Sequence, residues 1–341
     1  MQIQKQHSTF LKGVAILFML YHQLFFYPER MDASVTLYRS VFQAHIEALL
    51  AGFGQICLPM FLFLSGYGFG TGRARSLEKL AKKVVELYYQ FWLVFVLFIP
   101  LGALLFNQSG RYDLSVTLLL QNLTALNTTY NAQWGFLILY VACVFSLPVL
   151  YKLNNFTLIF VSAVLMTGCT LLNQQVDYGV LQHFLWYGIW LFPFACGLVF
   201  ARNQQRISQW LAVSHLRIPA ILASVVAAPL VYILLMERGY MNIGLSLLTP
   251  VFIFLLVGLY RFIPGFIRGG LSEVGRHSTF IWLTHAFFCY DYFQQWIYSP
   301  HYPGLIFLLL LAVTWLASVL LTRIYNLMLN KPMVSGRQLP Y

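Results

Sequence analysis

The stretch KGVAILFMLYHQ, Lys12 to Gln23, puts a histidine at the end of an apolar run. Imidazole titrates near neutral pH, so His22 is suited to take a proton from a hydroxyl or to carry a group covalently. A histidine that only bonds a backbone carbonyl is the plainer alternative. Lys12 stands ten residues earlier, roughly 15 Å along a helix, too far to hydrogen-bond His22. Ten positions also leave the two side chains about 80° apart, so Gln23 rather than His22 faces the way Lys12 does. Lys12 is then either a snorkelling interface lysine or a contact for another part of one long ligand.

A second group of residues follows in FGQICLPMFLFLSGYGFGTGRAR, Phe53 to Arg75. Glycines admit close backbone approach, and Arg73, Arg75, Lys79, Lys82 and Lys83 come directly after them. Small-residue helix packing with a basic anchor accounts for this pattern, and a cradle for a polyanion such as a nucleotide phosphate is the sharper reading. In GRHSTFIWLTHAFFCYDYF, His285 falls near the middle of an apolar segment, either as a core histidine or as a second polar group lining the His22 cavity. Trp134 and Tyr140, in WGFLILY, suit an interfacial aromatic belt, with Tyr140 deep enough to hydrogen-bond inside. The cysteines lack metal-ligand spacing and read as small apolar residues, so no disulfide and no metal site follow.

These groups must be positioned by a membrane body. The chain of 341 residues is 60% hydrophobic and only 9% charged, which excludes an ordinary soluble domain. Its net charge of +11 is assigned to topology rather than to nucleic acid. Apolar runs of about 20 residues predict ten spans near 8–27, 53–72, 84–106, 134–151, 155–173, 180–201, 217–236, 243–263, 276–296 and 304–325. With both termini cytoplasmic, all but Arg30, Arg39, Arg111 and Arg238 of the 21 lysines and arginines fall on the inner side, as the positive-inside rule asks. The N-terminal run lacks a small-x-small cleavage pattern and is kept as a mature helix. The expectation is an all-α polytopic protein of one membrane domain, residues 1–341, with its core at about 8–325 and a short tail at 326–341. Its longest outer segments are Pro28 to Gly52 and Asn107 to Gln133, and DLSVTLLLQNLTAL in the second predicts a re-entrant or interfacial helix.

KGVAILFMLYH, PMFLFLSGYGFG with its basic follow-on, WLFPFACGLVFAR and GRHSTFIWLTH occur in the order and spacing that resembles the acyltransferase 3 family of integral-membrane acyltransferases. The resemblance implies about ten spans in the cell membrane. It also implies an acyl group taken from cytoplasmic acyl-CoA, usually acetyl-CoA, and passed to a hydroxyl of a surface polysaccharide or lipid-linked glycan. It gives His22 the essential first-span histidine and Lys12 the basic position before it. Many members carry arginine eleven positions before the histidine, so Lys12 calls for a helix bulge or its own long arm to reach the same side. On this reading Arg73 and Arg75 hold the nucleotide phosphates, the acyl arm threads past Lys12 and Ser65, and His22 deprotonates the acceptor or carries the acyl group. An oxyanion donor is required, with Tyr67, Ser65, Trp134 and His285 as the candidates. Trp134 and Tyr140 face the acceptor, and Arg30, Arg39 and Arg111 are available to a phosphate or uronate. A secondary transporter is the competing class, but it normally carries internal repeats, and none is visible. A lipid-linked sugar glycosyltransferase would be expected to pair carboxylates at the outer face, and Glu29, Asp32 and Glu47 are scattered.

Overall fold

Inside a bilayer the backbone has no water to bond, so long apolar runs close their hydrogen bonds internally as helices. The computed structural model describes residues 3–72, 76–106, 110–174, 181–212 and 232–329, and these form helices and no strand. In chain order come α1 (Lys5–Phe25), α2 (Val41–Gly54), α3 (Cys57–Thr71), α4 (Leu77–Leu105), the short α5 (Val116–Leu123), α6 (Gly135–Leu150) and α7 (Asn155–Asn173). They are followed by α8 (Leu181–Arg202), α9 (Gln204–Ala212), α10 (Met241–Leu259), α11 (Gly265–Arg276), α12 (Ser278–Ala286), α13 (Gln294–Tyr298) and α14 (Pro303–Met328).

Among the described residues, 8 helical stretches are long and apolar enough to cross a membrane, and each overlaps an expected span, although the one at Val41–Thr71 begins well before the expected 53–72. The expected span 217–236 lies mostly outside the described residues. The one at 276–296 differs from expectation: α12 has 9 residues, then a single π turn, Phe287–Asp291, and the 5-residue α13. The cause is local, because the Tyr292 N–H reaches back to the Phe287 carbonyl at 2.7 Å, widening the helix just where the sequence turns polar at DYFQQ. The segment Pro28 to Gly52 is also less loop-like than expected. Ser40 and Gln43 form a reciprocal capping box that starts α2, and a short turn at Gln55 and Ile56 joins α2 to α3. The expected short helix in DLSVTLLLQNLTAL is α5, at 8 residues too short to span.

Helix α1 is central. Of its most apolar window 72% is buried by protein, against 22 to 61% for the other spans. Glycines allow this density. A Cβ on Gly13 would come 1.8 Å from the Leu271 carbonyl oxygen of α11, and one on Gly275 would come 1.9 Å from that of Thr9. Helices α3 and α8 cross in the same way, with Gly66 against the Phe194 carbonyl and Gly197 against that of Phe63, each at 2.1 Å. Two glycines of the SGYGFG run, Gly66 and Gly70, are therefore packing residues, whereas Gly68 lines a cavity.

Candidate functional site

His22 sits on the last turn of α1, where α1 meets the junction of α2 and α3. Its ring is 3% exposed, so it faces protein and not lipid. Gly54 makes the approach possible, since a Cβ there would lie 2.6 Å from the Phe18 carbonyl oxygen and 2.9 Å from the His22 Cβ. The Ala51 carbonyl lies 2.7 Å from Nδ1. A carbonyl only accepts, so Nδ1 carries the proton and Nε2 presents its lone pair. Among the described residues Nε2 has no hydrogen-bond partner, yet it is not one of the sealed orphan atoms of the interior. Phe26 stacks on the ring at 4.8 Å and Tyr27 meets it edge-on at 5.3 Å. The result is a fixed imidazole with one open nitrogen.

Beside it, Gln23 nucleates a polar network. Its amide Nε2 donates to Gln133 Oε1 at 2.9 Å, the Tyr290 hydroxyl lies 3.0 Å from its Oε1, and the Trp282 indole donates to the Gln133 carbonyl at 3.2 Å. The π turn supplies Tyr290, whose hydroxyl also donates to the Gln23 carbonyl. Above this network Arg30 lies on Tyr27, its guanidinium carbon 3.9 Å from the ring centroid, and it faces Tyr290 at 5.5 Å. Arg39 is paired with Glu47 and Arg111 with Asp291.

At the opposite end of α1 is a cavity of about 100 Å³ lined by Lys12, Leu64, Ser65, Gly68, Phe69, Lys83 and Tyr140. It brings together Lys12 and Ser65, expected beside the donor, with Tyr140, which was expected to face the acceptor and instead lies here, and adds Lys83, whose ammonium lies 4.8 Å from the Phe69 ring centroid. Two ammonium groups line this space, and Glu86 lies within electrostatic reach of Lys83 and of Tyr140. Helix α1 is unbroken from Lys5 to Phe25, so no bulge aligns Lys12 with His22. Lys12 and Gln23 share one side, toward Tyr140 and Gln133, and His22 turns toward α2, as the about 80° offset requires.

The other expected residues disperse. Tyr67 lies roughly 15 Å along α3 from Cys57, and its hydroxyl donates to Gln204 at 3.0 Å, which removes it from the His22 ring. Ser65 Oγ donates to the Phe61 carbonyl at 2.7 Å while lining the cavity. Trp134 is 0% exposed and its indole donates to the Leu283 carbonyl at 3.0 Å. It anchors α6 to α12 rather than belting a membrane surface, and offers no free donor to an acceptor. His285 is 1% exposed, its Nδ1 donates to the Trp282 carbonyl at 2.7 Å, and its Nε2 is sealed without a partner. It shares a stripe with Ile281 and Cys289, which pack into the apolar cluster of α1 and α14. Arg73 and Arg75 lie outside the described residues.

Sequence reasoning missed Lys83, merged with the basic anchor, and the set of Gln133, Trp282 and Tyr290. The one available signal was that Gln23 falls on the Lys12 side of the helix.

No curated protein and no solved structure matches the chain. A family model described as an acyltransferase domain matches residues 8–323, nearly the whole chain, and so takes in His22, Lys12 and every helix around them. With its apolar helices, this multi-pass membrane protein belongs to the acyltransferase 3 family.

Proposed function

We propose that the protein is a membrane-bound O-acyltransferase that moves an acyl group, acetyl in the first instance, from cytoplasmic acyl-CoA to a hydroxyl of a surface polysaccharide or lipid-linked glycan. The observation that carries this reading is the fixed tautomer of His22: Nδ1–H on the Ala51 carbonyl and an open Nε2 inside the protein. The acceptor hydroxyl attacks the thioester carbonyl as Nε2 takes its proton. The carbon–sulfur bond then breaks, and the departing thiolate of CoA receives that proton from the imidazolium. If CoA leaves before the acceptor arrives, Nε2 itself takes the acyl group and passes it on. The Lys12 and Lys83 cavity suits an anionic or polar part of the donor. Roughly 15 Å of α1 separates it from His22, so a long thin donor arm fits and a compact donor does not.

Labelled acetyl-CoA added to membranes containing the protein tests this. Label should enter the glycan fraction, and His22→Ala should lower the rate by about 10² to 10⁴, the usual contribution of a positioned base. Equal labelling in His22→Ala membranes would refute the assignment.

A further inference from the structure

The residues at the His22 end narrow the choice of acyl acceptor. Arg39 and Arg111, the other described arginines of the two long segments beside this end, are each neutralised by a carboxylate. Arg30 forms no ion pair among the described residues. Its nearest carboxylate neighbours in sequence form no ion pair with it: Glu29 is exposed, as Arg30 is, and Asp32 accepts from the Ser34 N–H at 2.8 Å and the Ser34 hydroxyl at 2.7 Å. The cation is nonetheless held in place. Residues Pro28–Arg30 form a 3₁₀ turn, and the Gln294 side chain clamps it by donating to the Arg30 carbonyl at 2.8 Å and accepting from the Asp32 N–H at 2.9 Å. Tyr27 lies under the guanidinium and stands edge-on to the His22 ring, so a single aromatic ring separates cation from base. Tyr290, bound to Gln23, bounds the other side. A guanidinium stacked in this way turns its N–H groups outward in a planar fork; one is engaged by the Tyr290 hydroxyl, and those left over can receive an oxyanion with two parallel hydrogen bonds.

We propose that Arg30 seats an anionic group of the acyl acceptor, so that the hydroxyl offered to His22 belongs to a glycan bearing a phosphate or carboxylate near the acylated sugar. This rests on the acyltransferase reading above. The orientation is direct: the anion sits on the fork beyond Tyr27, the sugar lies across the Tyr27 and Tyr290 rings, and its hydroxyl reaches Nε2.

The test uses membranes of cells carrying the full chain, incubated with labelled acetyl-CoA, and the labelled glycan is passed over an anion exchanger. Retained label is expected. Release by mild acid, which cleaves glycosyl phosphates, identifies a lipid-linked phosphate, and release after carboxyl reduction identifies a uronate. Arg30→Gln should slow labelling about tenfold or more, in line with loss of a charge-assisted hydrogen bond, and Arg30→Lys, which keeps the charge but not the fork, should recover only part of the rate. Arg238→Gln, which removes an exposed cation elsewhere, should change nothing. Label that flows through as neutral glycan, or an Arg30→Gln rate equal to wild type, overturns the assignment while leaving His22-dependent transfer standing. Absence of label from wild-type membranes overturns both. The exchanger arm needs only the wild-type chain, so it decides even if both Arg30 substitutions fail to fold.

Discussion

His22 shows how a backbone carbonyl can choose a side chain's chemistry. With Nδ1 fixed on Ala51, only Nε2 can act, and the packing of Gly54 against α1 sets where that nitrogen lies. Gly54→Ala should therefore lower kcat while leaving the donor KM near wild type, measured with labelled acetyl-CoA. Lys12→Met and Lys83→Met should do the reverse, raising the donor KM several-fold with a smaller change in kcat, because the proposed function has them bind the donor remote from the reacting carbonyl. The Gln23 to Gln133 bond is of the kind that contributes about 0.6 kcal/mol, and at most about 1.7, inside a membrane. That is too little to hold the fold, so the network's weight lies in fixing the walls beside His22. His22 was legible in the sequence because an ionisable side chain in an apolar run stands out. Lys83 was not, since a basic residue after a span reads as a topological anchor whether it points out or in. Tyr67 and Trp134 were plausible donors by type alone; only the partners of their hydroxyl and indole groups, Gln204 and Leu283, show otherwise.

At the scale of elements, the site depends on glycine-mediated crossings that bring α1, α3 and α8 closer than ordinary side chains allow. Gly66→Val would put a branched side chain where a single Cβ already meets the Phe194 carbonyl at 2.1 Å. Overpacking of this kind costs about 1 to 3 kcal/mol or more. Detergent-solubilised Gly66→Val should show a lowered Tm or lost monodispersity, whereas Gly168→Val, at a glycine with nothing within 4 Å, should not. Apolar length announced most of the helices. It could not announce the π turn at Phe287–Asp291, which presents Tyr290 to Gln23, because a single widened turn leaves hydropathy unchanged. Helix α2 was hidden for another reason: it joins α3 across a turn within one apolar segment, so the run read as a loop followed by a span.

Across the whole molecule, the central claim is a division of labour along α1. A cavity with two lysines lies at one end, an open imidazole at the other, and roughly 15 Å of helix between them. If the lysine end is cytoplasmic, as the distribution of basic residues predicts, the proposed transfer carries the acyl group across the membrane and leaves the anionic donor behind. The most direct measurement uses sealed inverted vesicles supplied with labelled acetyl-CoA from the cytoplasmic face. Ester label should accumulate in a pool that an added, membrane-impermeant acetylesterase cannot reach until detergent opens the vesicles, and it should be missing in His22→Ala. Label that is fully esterase-sensitive in sealed vesicles, or that persists without His22, would contradict the account.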